Sequence, residues 1–584
     1  MRTVGILSVV VLALLLLPGA AWSAPEFRGA QVHPWYSGQT SELRERELDE
    51  LDDAGATTLR MDLPWAAVEP FERGVVDDTF LARVDRFVAA ARARGIRPIM
   101  NLHSTPCWAA AAPDTVKQGC ADRWGDINWY PPADAQDLAR VSGYLAKRYG
   151  EDLAALEVWN EPNLDNFLKP DSLTKSERAD RYAEMLRAVY PSVKEAAPAL
   201  PVIGGAIEGT DSDFLKMLYD RGLASNSDAV SFHPYNGPRA PDWDRPDGWN
   251  LKYDFKAGIS RMREVMTANG DAEAGVWLTE FGWTTCTDGA YRCVSSELDQ
   301  ARFISDAFGM IRRDFPYVNG AVVYELRDSR EGDCSECRFG LLRRDLSSKP
   351  AWSALETALT PYFERISSAA GLVSYWRLGE KSGGTARDEG EVSPGTYTTG
   401  TGLGATGIPG GDRDPAVLLG GPAGRLTIPH ASAYELDGFT VEAWVKVEDP
   451  GESDQWRTIV KKGDTAPDRT FGLWLERYSS TQVHFSVGTE EGIYLNGNSE
   501  RTLEPGRWHH LALVHPEGGA PALYLDGRLE ARSTHTGTPA SSAAPIQAGS
   551  ARSAIVTDEL AIYRRALGEE ELTRHYRAGV AGAP

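Results

Sequence analysis

From Phe27 onward, short apolar runs that end in polar residues alternate with longer segments whose apolar positions recur at helical spacing. The runs Phe27 to His33, Thr57 to Asp62, Ile96 to His103, Leu153 to Asn160, Pro201 to Ala206, Ala229 to His233, Gly275 to Glu280 and Val318 to Glu325 have the length and composition of buried strands. Between them Glu42 to Ala54, Asp78 to Arg94, Ala133 to Tyr149, Ser176 to Ala196, Asp211 to Arg221, Lys252 to Asn269 and Ser295 to Asp314 read as helices, with Ala351 to Leu359 as the last. Parallel neighbours need a crossover between them, so this alternation predicts a parallel sheet. Eight units predict a (β/α)8 barrel. A doubly wound open sheet is the alternative, and no glycine-rich phosphate fingerprint follows the first strand to support it.

The pattern changes after Pro361. The small-residue run Ser367-Ser368-Ala369-Ala370-Gly371 marks a linker, placed at 363–371, and 372–580 shows short strands rich in Val, Trp, Tyr and Leu between Gly, Pro and Asp clusters. Thr440 to Val447, Phe471 to Glu476, Gln482 to Gly488, Trp508 to His515 and Ala522 to Leu525 are examples, and Leu567 to Leu572 is a small helical stretch. The fold class expected is therefore multidomain: an α/β barrel over 25–362, then an all-β jelly-roll sandwich.

The chain of 584 residues carries 61 basic and 83 acidic residues, a formal net charge of −22, which speaks against a nucleic-acid partner and against polyanionic partners in general. Residues 1–24 read as a signal peptide: Arg2, an apolar run from Val4 to Leu17, and the small-x-small site Ala21-Trp22-Ser23. The run is short for a membrane span, and no long apolar segment follows it, so a secreted product with no integral membrane segment is expected, a retained anchor being the alternative. The six cysteines form the close couples Cys107 with Cys120, Cys286 with Cys293 and Cys334 with Cys337, which in an exported chain read as disulfides rather than as a zinc site or a redox pair.

In a (β/α)8 barrel, chemistry sits at the C-terminal strand ends. Here His33, Arg60, Asp62, His103, Asn160, Glu161, His233, Tyr235, Glu280, Trp283, Tyr324 and Glu325 crowd those ends. Glu161 and Glu280 each close an apolar strand. Two carboxylates on one sheet edge are what acid and nucleophile chemistry at an acetal carbon requires. Three histidines converging on a hydrolytic zinc are a rival use of the same edge.

Trp159-Asn160-Glu161-Pro162-Asn163, Phe232-His233-Pro234-Tyr235 and Thr279-Glu280-Phe281-Gly282-Trp283 resemble the signatures of clan A glycoside hydrolases, most of all family 39 and its family 5 neighbours, over about residues 27 to 362. The resemblance implies retaining hydrolysis of O-glycosidic bonds in a polysaccharide or oligosaccharide, with Glu161 as general acid/base and Glu280 as nucleophile and no catalytic cofactor. It also implies that Asn160 holds a sugar hydroxyl, that Arg60 and Tyr235 orient Glu280, and that His33, His103 and His233 wall the pocket. Among Trp65, Trp108, Trp124, Trp129, Trp243, Trp249 and Trp283, the expected sugar-stacking rings are Trp283 and Trp108. Tyr324 stands where clan members often place a tryptophan, and Glu325 beside it is expected to pair with Arg327, a hydrogen bond to a sugar hydroxyl being the alternative. The segment after 372 resembles laminin-G-like, concanavalin-type jelly rolls through Val373 to Glu380, Phe439 to Val445, Trp508 to Val514, Leu523 to Gly527 and Asp558 to Leu567. Such modules often bind glycans and hold structural calcium, for which Asp388 and Asp558 are the candidate ligands. The competing functions are a non-catalytic glycan-binding or adhesion protein and a transglycosylase using the same two glutamates.

Overall fold

The computed structural model describes residues 26–580 except 118–124, 244–251, 288–292, 295, 361, 411–413, 422–423, 453 and 480. The signal segment, Cys120, Trp124 and Trp249 lie outside the described residues.

Eight parallel strands close into a barrel in sequence order: β1 (Phe27–Val32), β2 (Thr58–Pro64), β3 (Arg97–His103), β4 (Ala155–Val158), β5 (Val202–Glu208), β6 (Ala229–His233), β7 (Gly275–Phe281) and β8 (Val318–Val323). The crossover helices start at side-chain caps: Thr40, Asp77, Asp134, Thr174, Asp211 and Ser296 each accept a backbone N–H of the first turn.

The strand period of two sorts the side chains into two sets. Leu59, Met61, Met100, Leu102, Leu156, Val230, Leu278 and Val323 face the helices in the main core. The lumen-facing set is layered. At the bottom Ile99, Ala155, Ile203, Trp277 and Val322 pack together. Two residues further along the same strands come buried polar groups, Gln31, Arg60, Asn101, Glu157, Ser231 and Thr279. The next step reaches His33, Asp62, His103 and His233 at the mouth. Apolar packing thus gives way to a hydrogen-bonded layer that supports the rim.

The loops after β7 and β8 are tied together. Cys286–Cys293 and Cys334–Cys337 close within their loops, and Thr287 and Asp333 hydrogen-bond across them.

The C-terminal domain consists of two packed antiparallel sheets. Phe439–Asp449, Trp508–His515, Ala522–Leu525 and Ala554–Tyr563 belong to one; Arg457–Lys462, Phe471–Leu475, Gln482–Gly488 and Tyr494–Thr502 belong to the other. The helical tail is longer than expected, Glu569–Val580. It docks through His575, whose ring meets Glu442 at 3.0 Å in a buried group completed by His510 (3.0 Å) and the Tyr563 hydroxyl (2.6 Å).

Two expectations are corrected here. The first part of the segment expected to be a linker, 363–367, belongs to the helix Tyr362–Ser367, wedged between the domains, while 368–371 is turn and irregular backbone. Arg28 of the first barrel strand pairs with Glu364 at 3.2 Å, while buried Tyr362 packs edge-on against Trp444 at 6.3 Å and Phe363 stacks on Tyr375. The helix lies just before the small-residue run 368–371, and only its first and fifth positions, Tyr362 and Ile366, are buried, too short a pattern to read as a helix. Asp388 does not offer open oxygens to a cation: Ser374 Oγ and the N–H groups of Tyr375, Gly390, Val392 and Ser393 donate to its carboxylate, which clasps the loop after the first strand of this domain. Asp558 is fully buried on Ala554–Tyr563 and accepts the Ile408 N–H, a position inside a sheet rather than on a loop.

Candidate active site

Glu161 follows β4 through a tight irregular turn. Trp159 and Glu161 both take left-handed backbone conformations (φ 68° and 43°), each costing on the order of 1 kcal/mol for a residue with a side chain. The turn is held from three sides. Trp159 is buried and donates its indole N–H to the Phe167 carbonyl at 2.7 Å, its own N–H goes to Leu102 O, and the Glu161 N–H goes to the Ala206 carbonyl of β5 at 2.9 Å. The carboxyl is thereby carried over the lumen, where Glu280 arrives from β7.

Ligand atoms of Glu161, His233 and Glu280 all lie within 4.8 Å of one another. His233 Nδ1 is 2.9 Å from Glu161 Oε1 and 3.6 Å from Glu280 Oε2. The other contacts of Glu280 are Arg60 Nη1, donating to Oε1 at 2.5 Å, and the Tyr235 hydroxyl, donating to Oε2 at 2.8 Å. Arg60 is wholly buried and uses its whole fork: Nε donates to Glu157 at 2.7 Å, Nη1 also to Gln31 at 3.0 Å, and Nη2 to Asn160 Oδ1 at 2.8 Å. Burial opposes its charge, but Glu157, Glu280 and Asp62 outweigh that and raise its pKa.

The two glutamates are unequal in surroundings. Burial is the largest influence on Glu161, the Glu280 charge adds to it, and the His233 hydrogen bond pulls the other way; its carboxyl is raised to about 7. Glu280 faces two strong donors instead. A near-neutral acid beside a doubly hydrogen-bonded carboxylate is the division of labour that acetal cleavage needs.

Residues 19–308 match the family model for cellulase (glycosyl hydrolase family 5), and residues 419–573 match that of the concanavalin A-like lectin/glucanases superfamily. The barrel is a glycosyl hydrolase family 5-like domain. The curated relative found is a β-xylosidase of Geobacillus stearothermophilus, 34% identical over 170 residues, which are 27% of this chain and 31% of that protein. The match therefore spans about a third of the relative's length. Similar solved structures include a family 39 glycoside hydrolase from Bacteroides cellulosilyticus WH2 (22% identity, 75% of each chain, TM-score 0.47). An exo-β-1,4-mannosidase from Opitutaceae bacterium strain TAV5 is another (17% identity, 58% of this chain and 59% of that one, TM-score 0.41).

The hydrolase domain opens above the pair into a cleft of about 1470 Å³. Its walls include His33, Trp35, Asp62, His103, Trp129 and Tyr324 from the expected strand ends and their loops, with Asn160, Glu161, Tyr235 and Glu280 at its base. Other expectations move. Trp283 is buried, donates to Arg239 O, and packs among Phe255, Phe281 and Phe303 behind the site. Trp108 donates to Glu69 O and packs edge-on against Trp65. Neither ring lines the cleft. Both face outward because they follow their strands by positions that turn toward the helices. Of the other tryptophans considered for stacking, Trp129 does line it, parallel to His103 at 5.4 Å. Arg60 and His233 touch the two glutamates from below and are positioning residues. Glu325 pairs not with Arg327 but with His33, at 2.9 Å, because its side chain turns inward while Arg327 reaches Glu47 at 2.7 Å. Burial alone would lower the His33 imidazole, yet Asp62 and Glu325 raise it to about 9.

Gln31 and Glu157 were not singled out from the sequence, and Asn101, expected at the end of the third strand, lies in the buried layer below the mouth, donating to Glu157. Glu157 lies deep in the barrel, where burial pushes its carboxyl up and Arg60 overrides that to hold it below its ordinary value. The signal was there to read: polar residues at lumen-facing positions of otherwise apolar strands.

Proposed function

We propose that the chain is an exported retaining glycosidase acting on a polysaccharide or oligosaccharide. The observation that carries this reading is the approach of the Glu161 and Glu280 carboxylates to within 4.8 Å at the base of a cleft, close to the ~5–5.5 Å of retaining enzymes and short of the ~6.5–9.5 Å that leaves room for a water in inverting ones. Glu280 attacks the anomeric carbon as the bond to the leaving oxygen breaks, and Glu161 gives that oxygen its proton. Water then attacks the same carbon, its proton passes to Glu161, and the ester to Glu280 breaks. Asn160, fixed through its Oδ1 to Arg60, keeps its amide N–H groups for a sugar hydroxyl. The β-xylosidase relative makes an aryl β-D-xyloside the first substrate to try.

Glu280→Ala is expected to reduce turnover roughly 10⁴-fold or more. Proton NMR of the first sugar released by the native chain should show retained anomeric configuration. An unchanged rate in the variant, or inverted product, rejects the reading. Export is read out by sequencing the N-terminus of secreted protein, which should begin just after Ser23 or Ala24.

A further inference from the structure

Asp62 follows Arg60 by two residues on β2 and so faces the same lumen, at the mouth of the barrel. Every cation near its carboxylate stands off: His33 Nδ1 at 3.5 Å, Arg60 Nη1 at 3.7 Å and His103 Nε2 at 3.7 Å. Among the described residues none donates to it at ordinary hydrogen-bond length. Each of those neighbours is committed elsewhere at shorter range. His33 meets Glu325 at 2.9 Å and stacks on Tyr36 at 4.3 Å, while Arg60 holds Glu157 and Glu280. His103 Nδ1 lies 2.6 Å from Ser104 Oγ, with Trp129 against its ring.

Charge balance does not call for this group. Arg60 and His33 already face Glu157, Glu280 and Glu325, so a further carboxylate adds like charge where carboxylates are in surplus, at a cost in stability. Burial also opposes its ionisation, yet His103, His33 and Arg60 hold the carboxyl well below its ordinary value, so it meets a ligand purely as an acceptor. Its side chain is 20% exposed, against 5% for His33 and 0% for Glu325, and it lines the cleft. The donors that would satisfy it at full strength therefore come from the cleft.

Its place decides which part of a substrate supplies them. Arg60 carries Glu280 on Nη1 and Asn160 on Nη2, and Asp62 stands beside the same Nη1, so the three groups are arranged around one guanidinium. The leaving oxygen belongs to Glu161, whose turn is held by β5, whereas the neighbours of Asp62 come from β3, from the residue after β1 and from the segment after β8. Asp62 thus faces the sugar that stays on the enzyme and not the group that leaves. On the two-glutamate reading proposed above, which this inference rests on, that sugar has its anomeric carbon at Glu280 and its 2-hydroxyl at Asn160. The next ring positions, 3 and 4, then fall toward Asp62, and two carboxylate oxygens match two neighbouring hydroxyls. We propose that Asp62 determines sugar specificity, gripping the 3- and 4-hydroxyls of the retained sugar.

The test uses the full chain with the aryl β-D-glycoside it cleaves fastest among the xylo, gluco, galacto and manno forms, together with the 3-deoxy and 4-deoxy analogues of that sugar. A carboxylate left without its hydroxyl rejects the analogue, so the native chain should prefer the parent sugar by about 10²-fold or more in kcat/KM. Asp62→Asn should lower kcat/KM for the parent by about 10²-fold and shrink the preference over each analogue to about tenfold or less. A loss of activity with the preference intact marks a structural residue and overturns the proposal, as does an unchanged kcat/KM in Asp62→Asn. Glu280→Ala keeps the two readings apart: if it abolishes turnover while Asp62→Asn leaves turnover unchanged, the inference about Asp62 fails and the two-glutamate reading stands.

Discussion

At the scale of single residues, the proposed chemistry rests on two carboxyls made unlike by their neighbours. In the proposed mechanism the Glu161 carboxyl, raised by burial to about 7, loses the proton it would give the leaving group above that pH, and kcat/KM should fall about tenfold per pH unit on the alkaline side. Glu161→Gln should abolish that limb and slow an unactivated substrate by about 10²–10⁴-fold, while an aryl glycoside with a strongly acidic phenol loses much less. The same shift has a stability consequence. Because the folded carboxyl binds its proton more tightly than its ordinary value of 4.5 allows in the unfolded chain, Glu161 contributes stability fully below about 4.5, and the contribution is lost as pH rises through about 7. Arg60 offers a second test. Lysine in its place keeps a charge but cannot reach Glu157, Gln31, Asn160 and Glu280 together, so Arg60→Lys should lower kcat by roughly 10²-fold or more with the far-ultraviolet circular dichroism unchanged.

At the scale of elements, β5 decides where Glu161 stands. Its pairing with β6 slips between Gly204 and Ile207, Gly205 takes φ 124°, and the Ala206 carbonyl that results accepts the Glu161 N–H. An alanine Cβ at 205 would sit 2.3 Å from the Ser231 carbonyl oxygen. Gly205→Ala should therefore destabilise the barrel by roughly 1–3 kcal/mol in urea unfolding and lower kcat through displacement of Glu161. The apolar runs made the strands legible: Ala229–His233 lies where the sequence places it, and the other seven barrel strands lie close to their expected limits. The β5 slip was not legible. Its cause is contact with β6, and Gly204-Gly205 reads in one dimension only as a weak spot in a strand. The tryptophans show the same limit: proximity to a strand end placed Trp283 and Trp108 at the mouth, whereas the direction each chain segment takes after its strand buries them.

At the scale of the whole molecule, the two domains share a built joint. Tyr362 and the tail helix both pack against the sheet that carries Trp444, and Arg577 of the tail approaches Glu356 of the barrel's last helix at 3.9 Å. Tyr362→Ala should cost about 3–5 kcal/mol and separate the thermal unfolding of barrel and sandwich into two calorimetric transitions. Glu442 anchors the tail more deeply. Burial would raise its carboxyl, but His575 and His510 hold it far below its ordinary 4.5, so its contribution is present above about 4.5 and is lost as pH falls below that. Removing it by Glu442→Ala leaves two buried imidazoles without their partner, an expected loss of about 3–5 kcal/mol in the sandwich transition.

By itself the sequence determined the barrel and the sandwich, and the two glutamates at strand ends, because strand and helix periods and the residue that closes each apolar run are local properties of a chain. It also carried the signal for the polar lumen layer, polar residues at alternate positions of otherwise apolar strands. Only the tertiary structure decided that Glu161 and Glu280 converge, that Arg60 serves four partners at once, and that the first part of the apparent linker is a wedge. Those outcomes depend on distances between segments far apart in the chain, set by barrel closure and side-chain direction rather than by residue type.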